Sequence, residues 1–179
     1  MYELERPPHL SYAALDDVQS PRIRQLHAYW KAKCNDVALP PRSAIEPAEI
    51  RALLPYLILA EFAPEPFKIT YRLVGTAVAR WHADDFTGRD HDAVQSLAES
   101  GIDDAYRRML ADAAPVFGRT GLYAGDRSWI GFEYAIFPLS DDGVRVNKSL
   151  AIQCTGEAEP QTWTEAAADD CSAPVPPPQ

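Results

Sequence analysis

The sequence has few cysteines, and those it has are far apart. Its three, Cys34, Cys154 and Cys171, have neither the spacing of a metal site nor the number needed for a disulfide framework. A fold held together by disulfides or by a cysteine-bound metal is therefore excluded. We expect a chain that is stabilised by a hydrophobic core and works in a reducing compartment.

Long hydrophobic runs are also lacking. The longest, residues 53–60, is too short to cross a bilayer and contains Pro55. The N-terminal residues lack the positively charged start and the apolar stretch of a signal peptide. We therefore expect a cytoplasmic protein with no membrane association.

Positive charge is scarce. The formal net charge is -9, and no basic stripe stands out, which disfavours a nucleic-acid surface. Residues 157–179 contain no Lys or Arg, and their acidic residues are Glu157, Glu159, Glu165, Asp169 and Asp170. Because this stretch also ends in a proline-rich run with few hydrophobic residues, we expect a disordered acidic tail.

The motifs of common enzymes are absent as well. There is no Gly-x-Ser-x-Gly elbow, no glycine-rich phosphate loop and no His-Glu-x-x-His helix. Four side chains that metals favour lie within ten positions, namely His82, Asp84, Asp85 and His91. Acidic residues in a loop beside a helix end usually form caps and solvated turns. We therefore predict neither catalytic residues nor a metal site.

A helix is the first element that the sequence predicts. Ser20 followed by Pro21 is typical of a helix start. Ile23, Leu26 and Trp30 then recur at helical spacing, which indicates an amphipathic helix that ends near residues 35–36. A second short helix is predicted from residue 47 to residue 54.

Five strands and two further helices follow. The strands are predicted at residues 56–62, 69–75, 116–123, 129–139 and 144–154. The helices are predicted at residues 76–81 and 101–113. Turns at residues 64–66, 124–126 and 140–143 make most strand pairs hairpins. Arg119 is then expected to pair with Glu133 across two strands, as Arg72 is with one of its neighbours.

This order predicts an α+β fold, because hairpins exclude a parallel doubly wound sheet. We expect a five-stranded antiparallel sheet that short helices cover on one face, with the N-terminal amphipathic helix added. The predicted segments are an N-terminal arm (1–19), a helical lead-in (20–55), a core domain (56–156) and an acidic Pro-rich disordered tail (157–179).

Three stretches carry a resemblance to a known family. They read LPPRSAIEPAEIRALLPYLILAEF, YRLVGTAVARWHADDFTGRD and FEYAIFPLSDDG. In this order they resemble the stand-alone PAS-like proteins of alphaproteobacteria, over roughly residues 20–156. The resemblance implies a five-stranded antiparallel sheet with a pocket between the sheet and the middle helices. PAS domains bind small molecules, dimerise or dock onto signalling partners, and the fold alone does not select among these roles.

Strand alternation and helical spacing then predict which residues would line such a pocket. A mostly apolar lining with a few polar groups suits a small ligand. The alternative is that these side chains fill a close-packed core and leave no void. The predicted ligand-binding residues are Tyr71, Leu73, Trp81, His82, Tyr106, Met109, Tyr134, Ile136 and Ile152.

Haem and flavin are disfavoured as cofactors. In PAS-type haem sensors the axial ligand typically comes from the long helix before the third strand, and residues 101–113 contain no histidine. Flavin photochemistry in the related blue-light domains needs a cysteine after the short helices, and residues 76–100 contain none. The identity of any cofactor is left open.

The function expected from this resemblance is sensory or regulatory and not catalytic. The sequence contains no kinase, cyclase or DNA-binding portion, so a signal would leave by contact with a protein partner. The stripe of Ile23, Leu26 and Trp30 would either cover the outer face of the sheet or form a homodimer with a second copy. The alternative function is a small-molecule-binding protein or an enzyme on the same fold.

Overall fold

The computed structural model describes residues 10–34, 38–98, 100–123, 129–155 and 162–163. Most of the predicted N-terminal arm, the turn at residues 124–126 and nearly all of the acidic tail lie outside the described residues. Within the described ranges, no helix is both long enough and apolar enough to cross a membrane.

An antiparallel sheet forms the centre of the protein. Its strands are β1 (Ser11–Ala13), β2 (Leu57–Pro64), β3 (Phe67–Val74), β4 (Val116–Tyr123), β5 (Trp129–Leu139), β6 (Lys148–Cys154) and β7 (Thr162–Trp163). The spatial order is β1-β4-β5-β6-β2-β3, with β7 paired to β5. The five predicted strands are confirmed, and the two short strands β1 and β7 are additions. Because β2–β3, β4–β5 and β5–β6 each pair antiparallel, the predicted α+β class is confirmed.

One face of the sheet, which we call the inner face, is covered by the middle helices. These are α2 (Thr76–Trp81), α3 (Gln95–Ala98) and α4 (Ile102–Asp112). Helix α4 has an apolar stripe of Ile102, Ala105, Tyr106 and Met109, which are all buried. These side chains pack with inward-facing residues of β2, β3, β5 and β6 and form the inner core.

The outer face is covered by α1 (Pro21–Cys34), so the sheet has helices on both faces. Ile23, Leu26 and Trp30 of α1 are buried with Phe137 and Ile152 in a second, outer core. Two roles were predicted for this stripe. In the structure it covers the sheet of its own chain. A homodimer through α1 would therefore have to use the other side of this helix.

Two predicted elements differ from the structure. The predicted helix at residues 47–54 is a turn followed by a 3₁₀ helix at Arg51–Tyr56, because Pro55 cannot donate the backbone bond of a regular α-helix. The predicted strand at residues 144–154 begins only at Lys148. Asp142 accepts bonds from the backbone N–H groups of Val144 and Arg145 at 2.9 and 2.8 Å, which holds those residues in the turn.

Candidate functional site

Five of the nine predicted ligand-binding residues meet in the inner core. Tyr71 comes from β3, Tyr106 and Met109 from α4, and Tyr134 and Ile136 from β5. None of the five is more than 2% exposed. The five residues therefore lie together between the sheet and α4, and their role in binding a ligand stays a prediction.

Aromatic side chains occupy much of this layer. The ring of Tyr71 lies 5.0 Å from that of Phe86 and 6.4 Å from that of Tyr106, measured between centroids. Phe62 lies 5.7 Å from Tyr106 on its other side. Rings at such separations are in mutual contact. In this part of the described chain, protein side chains therefore fill the space where a ligand was predicted.

Leu73 is not part of this layer, and its prediction as a lining residue is wrong. Ala60 pairs with Tyr71, while the preceding Leu59 pairs with Leu73, so Arg72 is an extra residue on β3. Such a β-bulge shifts the alternation of the strand by one position. The side chain of Leu73 is consequently 42% exposed.

Ile152 also lies elsewhere, because the alternation of β6 was assigned to the wrong face. Ala151 belongs to the inner core, whereas its neighbours Leu150 and Ile152 belong to the outer core beneath α1. Successive strand residues point to opposite faces. The residues of β6 that share the inner face with Ala151 are thus Ser149 and Gln153.

Trp81 and His82 lie at one end of the inner layer, at the end of α2. The half-buried Trp81 ring lies 5.8 Å from Tyr56 and 5.4 Å from Phe132. His82 is only 9% exposed, and its ring is stacked on Phe132 at 6.3 Å. The predicted aromatic and imidazole pair therefore occupies a mainly buried position.

A hydrogen-bond network fixes the protonation of His82. Nε2 lies 3.0 Å from Oε1 of Gln153, and Nδ1 lies 3.2 Å from the hydroxyl oxygen of Ser96. Because the amide oxygen accepts, Nε2 donates, and Nδ1 accepts from the Ser96 hydroxyl. Burial lowers the pKa of His82 below its usual value. His82 is thus a neutral imidazole with both nitrogens bonded.

A second polar chain crosses the inner core. The Tyr71 hydroxyl lies 2.8 Å from Nδ1 of His91, which is 5% exposed. The phenol ring of Tyr106 lies beside that of Tyr71, at 6.4 Å between centroids. Burial raises the pKa of both phenols and lowers the pKa of His91. Tyr71 therefore donates to a neutral His91 in this arrangement.

His91 also lines a small cavity at the surface. The cavity has a volume of about 60 Å³ and is lined by residues of β3, α4 and the 3₁₀ turn at His91–Ala93. Pockets that enclose drug-sized ligands usually measure about 300–1,000 Å³. This cavity can hold a few water molecules, and a haem or a flavin would need far more space.

Two hydroxyl groups on the inner face have no hydrogen-bond partner within the described residues. They belong to Thr120 of β4 and Ser149 of β6. Thr120 pairs with the inward-facing Phe132, and Ser149 pairs with the inward-facing Ala60. A buried hydroxyl without a partner is energetically costly. These two atoms are the positions where the interior could still bond to a polar group.

The four side chains that metals favour are separated by the fold. Asp84 forms an ion pair with Arg89 at 2.5 Å, and Asp85 accepts a hydrogen bond from the backbone N–H of Thr87. His82 and His91 bond to different partners, as described above. No group of three or more metal-binding side chains is found in the part of the chain that the structure describes.

The ion pairs predicted on the sheet are confirmed. Arg119 lies 3.1 Å from Glu133, and Arg72 lies 2.5 Å from Glu61. Ser96, Gln153 and the contact between Tyr71 and His91 were not predicted. Ser96 and His91 lie in a stretch without a clear hydrophobic period, and Gln153 was hidden by the misassigned face of β6.

The antiparallel sheet, the helices on its inner face and the buried side chains between them define an α+β domain. A family model described as PAS domain matches residues 18–152. This range is more than half of the 179-residue chain, so the chain belongs to the PAS-domain family, as the three sequence phrases predicted.

One solved structure that resembles the chain is described as "Structure of an RNA-binding Light-Oxygen-Voltage Receptor". The two are 19% identical with a TM-score of 0.46, over 65% of this chain and 36% of that chain. The aligned part is therefore about a third of the receptor. No curated protein matches the chain.

Proposed function

We propose that this PAS domain is a cytoplasmic regulatory module that acts by protein contact and does not catalyse a reaction. The buried titratable groups support this proposal, because His82, His91 and Tyr71 are hydrogen-bonded within the chain. The pKa shifts that burial causes keep each of these groups neutral. None is presented to a substrate as a free base or nucleophile.

The observation that carries the proposal is that the two cores share their strands. On β5, Tyr134 and Ile136 belong to the inner core, and Phe137 belongs to the outer core. On β6, Ala151 is inner and Ile152 is outer. A change in packing beside α4 is therefore transmitted to α1 through a single layer of backbone. Interiors pack densely, so such shifts are passed on and not absorbed.

The proposed partner is a second copy of the chain, which contacts the exposed side of α1. Gln25, Ala28 and Ala32 are exposed on this side, opposite the buried stripe. Small side chains at a contact let two helices approach closely. Contact between copies would then respond to the packing of α1 on the sheet.

The experiment is size-exclusion chromatography with light scattering over a range of concentrations. We expect the mass to rise toward that of two chains, and Ala28→Glu to hold it at one chain. Ala111→Glu is the matched control, because Ala111 is an exposed position of α4 on the other side of the sheet. Equal behaviour of the two variants would contradict a dimer through α1.

A second candidate function is the binding of a small polar ligand in the inner layer. The unpartnered hydroxyl of Thr120 favours it, because a small ligand with a donor or an acceptor would satisfy this group. Native mass spectrometry of the purified chain tests this function. A retained mass that is lost in Thr120→Val would support a ligand, and the mass of the bare chain would argue against one.

A further inference from the structure

The outer side of the protein carries basic side chains that lack acidic partners. Helix α1 contains no Asp or Glu. We define the outer basic surface as Arg22, Arg24, Lys31, Arg42 and Arg51. None of these five forms an ion pair with a carboxylate among the described residues, where the ion pairs involve other basic side chains.

The contacts of the outer basic surface leave its charge available. The Arg24 guanidinium donates to the carbonyl oxygen of Val18, and that of Arg22 lies over the Tyr56 ring at 4.5 Å. Lys31 and Arg51 are exposed. On the inner side, by contrast, Arg107 and Arg108 of α4 each face an aspartate on the same helix, at 3.7 and 3.8 Å. Arg80 of α2 and Arg145 also form no ion pair among the described residues, so the outer basic surface holds five of the seven such side chains.

The acidic end of the chain begins next to this surface. Strand β6 ends at Cys154, whose thiol interacts with Ser20 and lies within the electrostatic influence of Arg22. The Glu133 carboxylate, on the neighbouring strand, accepts a 2.6 Å hydrogen bond from the backbone N–H of Ser20. The chain therefore leaves the sheet beside the first turn of α1, and Glu157 and Glu159 follow within a few residues.

We propose that the acidic tail, residues 157–179, docks on the outer basic surface of its own chain through the residues that follow β7. Opposite charge supports this contact, because the tail carries five carboxylates and no Lys or Arg. Electrostatic complementarity fixes which surfaces meet more than it adds affinity. The tail thus offers opposite charge to a surface whose basic side chains have no ion pair within the described ranges.

The length of the tail allows this docking. Strand β7 holds Thr162 and Trp163 against β5, at the end of the sheet where α1 begins. From Trp163 to Gln179 an extended chain can span about 50 Å. Helix α1 has 14 residues and is about 21 Å long. Asp169 and Asp170 follow Trp163 by six and seven residues, or about 20 Å or more of extended chain, and can therefore reach Lys31, about 15 Å along the helix.

The contact is expected to be weak for each pair and strengthened by the tether. Exposed ion pairs contribute little individually, but a short flexible connection gives an effective concentration in the millimolar range. Salt screens charges that are separated by more than about 8 Å at physiological ionic strength. Docking should therefore be populated at low salt and lost at high salt.

Docking of the tail would also compete with the proposed dimer, since Arg24 and Lys31 flank Ala28 on α1. This consequence rests on the proposed function, whereas the docking itself does not. The tail would then limit how much of the α1 surface a second copy can reach.

The test uses a nitroxide spin label on Cys171 of the full chain. Cys34→Ser removes the half-buried thiol, and Cys154 is 1% exposed and is left in place. The measurement is the NMR spectrum of the isotope-enriched chain. We expect the amide signals of α1 to lose intensity when the label is paramagnetic, and the amide signals of α4 to keep their intensity. Added salt should restore the α1 signals.

Two double variants separate charge recognition from proximity. Lys31→Gln with Arg51→Gln should restore the α1 signals. Arg107→Gln with Arg108→Gln removes the same amount of positive charge from α4. This variant should leave the loss of α1 signal intensity unchanged. As a second approach, Glu165→Gln with Asp169→Asn and Asp170→Asn changes only the tail, so the folded domain keeps its own residues.

Three results would overturn the proposal. The first is an α1 spectrum that the label does not change, and the second is an equal loss in both double variants. The third is a loss of signal only when spin-labelled chains are mixed with unlabelled, isotope-enriched chains, because the contact would then join two copies. Light scattering reports the dimer independently, so failure of the tail contact leaves the test of the proposed function intact.

Discussion

The indole nitrogen of Trp30 donates a buried hydrogen bond of 2.9 Å to the carbonyl oxygen of Pro138. This bond attaches α1 to β5, and the Trp30 ring also lies 5.8 Å from the ring of Phe137. One residue therefore joins the outer helix to the strand that also supplies Tyr134 to the inner core. The attachment of α1 to the sheet depends strongly on this side chain.

Trp30→Phe should lower the free energy of unfolding by about 1–3 kcal/mol, because the Pro138 carbonyl would stay buried without a donor. Trp30→Ala should cost about 3–5 kcal/mol, since it also leaves a cavity. Urea unfolding measures both. Tyr29→Phe is the control. Tyr29 is on the same helix as Trp30, and its hydroxyl accepts a more exposed hydrogen bond from the backbone N–H of Glu46, which this variant removes. If Trp30→Phe costs no more than this control, α1 is not held as described.

The dense packing of the inner core predicts the effect of shortening Met109. This side chain is fully buried between α4 and the sheet. Met109→Ala should lower the free energy of unfolding by about 2–5 kcal/mol, because it removes buried surface and opens a void. The neighbouring Leu110 is only partly buried, so Leu110→Ala should cost clearly less in the same urea titration. Equal costs would indicate that the layer beside Met109 already contains a space.

Strand β1 depends on the absence of a side chain at Gly118. A Cβ atom there would overlap the carbonyl oxygen of Ser11 and lie 2.6 Å from the hydroxyl oxygen of Tyr134. Gly118→Ala should therefore displace β1 from β4, and the amides of residues 11–13 should lose their protection from hydrogen exchange.

Tyr134→Phe is the comparison for this variant, because it removes only the 3.3 Å bond from the Tyr134 hydroxyl to Ser11. We expect it to reduce protection less than Gly118→Ala. Full protection of β1 in Gly118→Ala would show that the two strands can separate enough to accept a methyl group.

The buried histidines predict that stability falls in mild acid. Burial lowers the pKa of His82 and of His91 below the usual 6.5. The unfolded chain therefore binds more protons than the folded chain just below that pH. The stability from these groups is present above about pH 6.5 and decreases as the pH falls toward their folded-state pKa values.

Urea unfolding at about pH 7.5 and pH 5.5 measures this effect, above the range in which carboxylates titrate. His82→Gln should show a smaller loss between the two pH values than the natural chain, since glutamine does not titrate. His27, which is less buried, also has a lowered pKa and supplies part of the remaining slope. An unchanged pH dependence in His82→Gln would mean that His82 is not held neutral by burial.

Local patterns predicted most of the fold because they report burial directly. The stripe of Ile102, Tyr106 and Met109 predicted α4, and Ser20 before Pro21 predicted the start of α1 within one residue. Strands β4 and β5 agree with their predicted ranges. In each of these elements, one face is buried over the residues whose exposure the structure describes, so periodicity and structure coincide.

The errors have local causes that periodicity does not show. Leu73 left the predicted face because Arg72 is inserted opposite β2, and the chain around it gives no sign of that bulge. Strand β6 is buried on both faces and turns the polar Ser149 and Gln153 toward the inner core, so alternation did not show which core Ile152 and Ala151 join. The hydrogen bonds of His82 to Ser96 and Gln153 join residues far apart in sequence, which a single sequence does not reveal.

The most direct test of action by contact through α1 is the mass of the full chain in solution. Light scattering should be recorded across concentrations, at an ionic strength that screens the acidic tail. The proposal predicts a mass that approaches two chains at high concentration and stays at one chain in Ala28→Glu. A mass of one chain at every concentration, or a dimer that Ala28→Glu leaves intact, would contradict it.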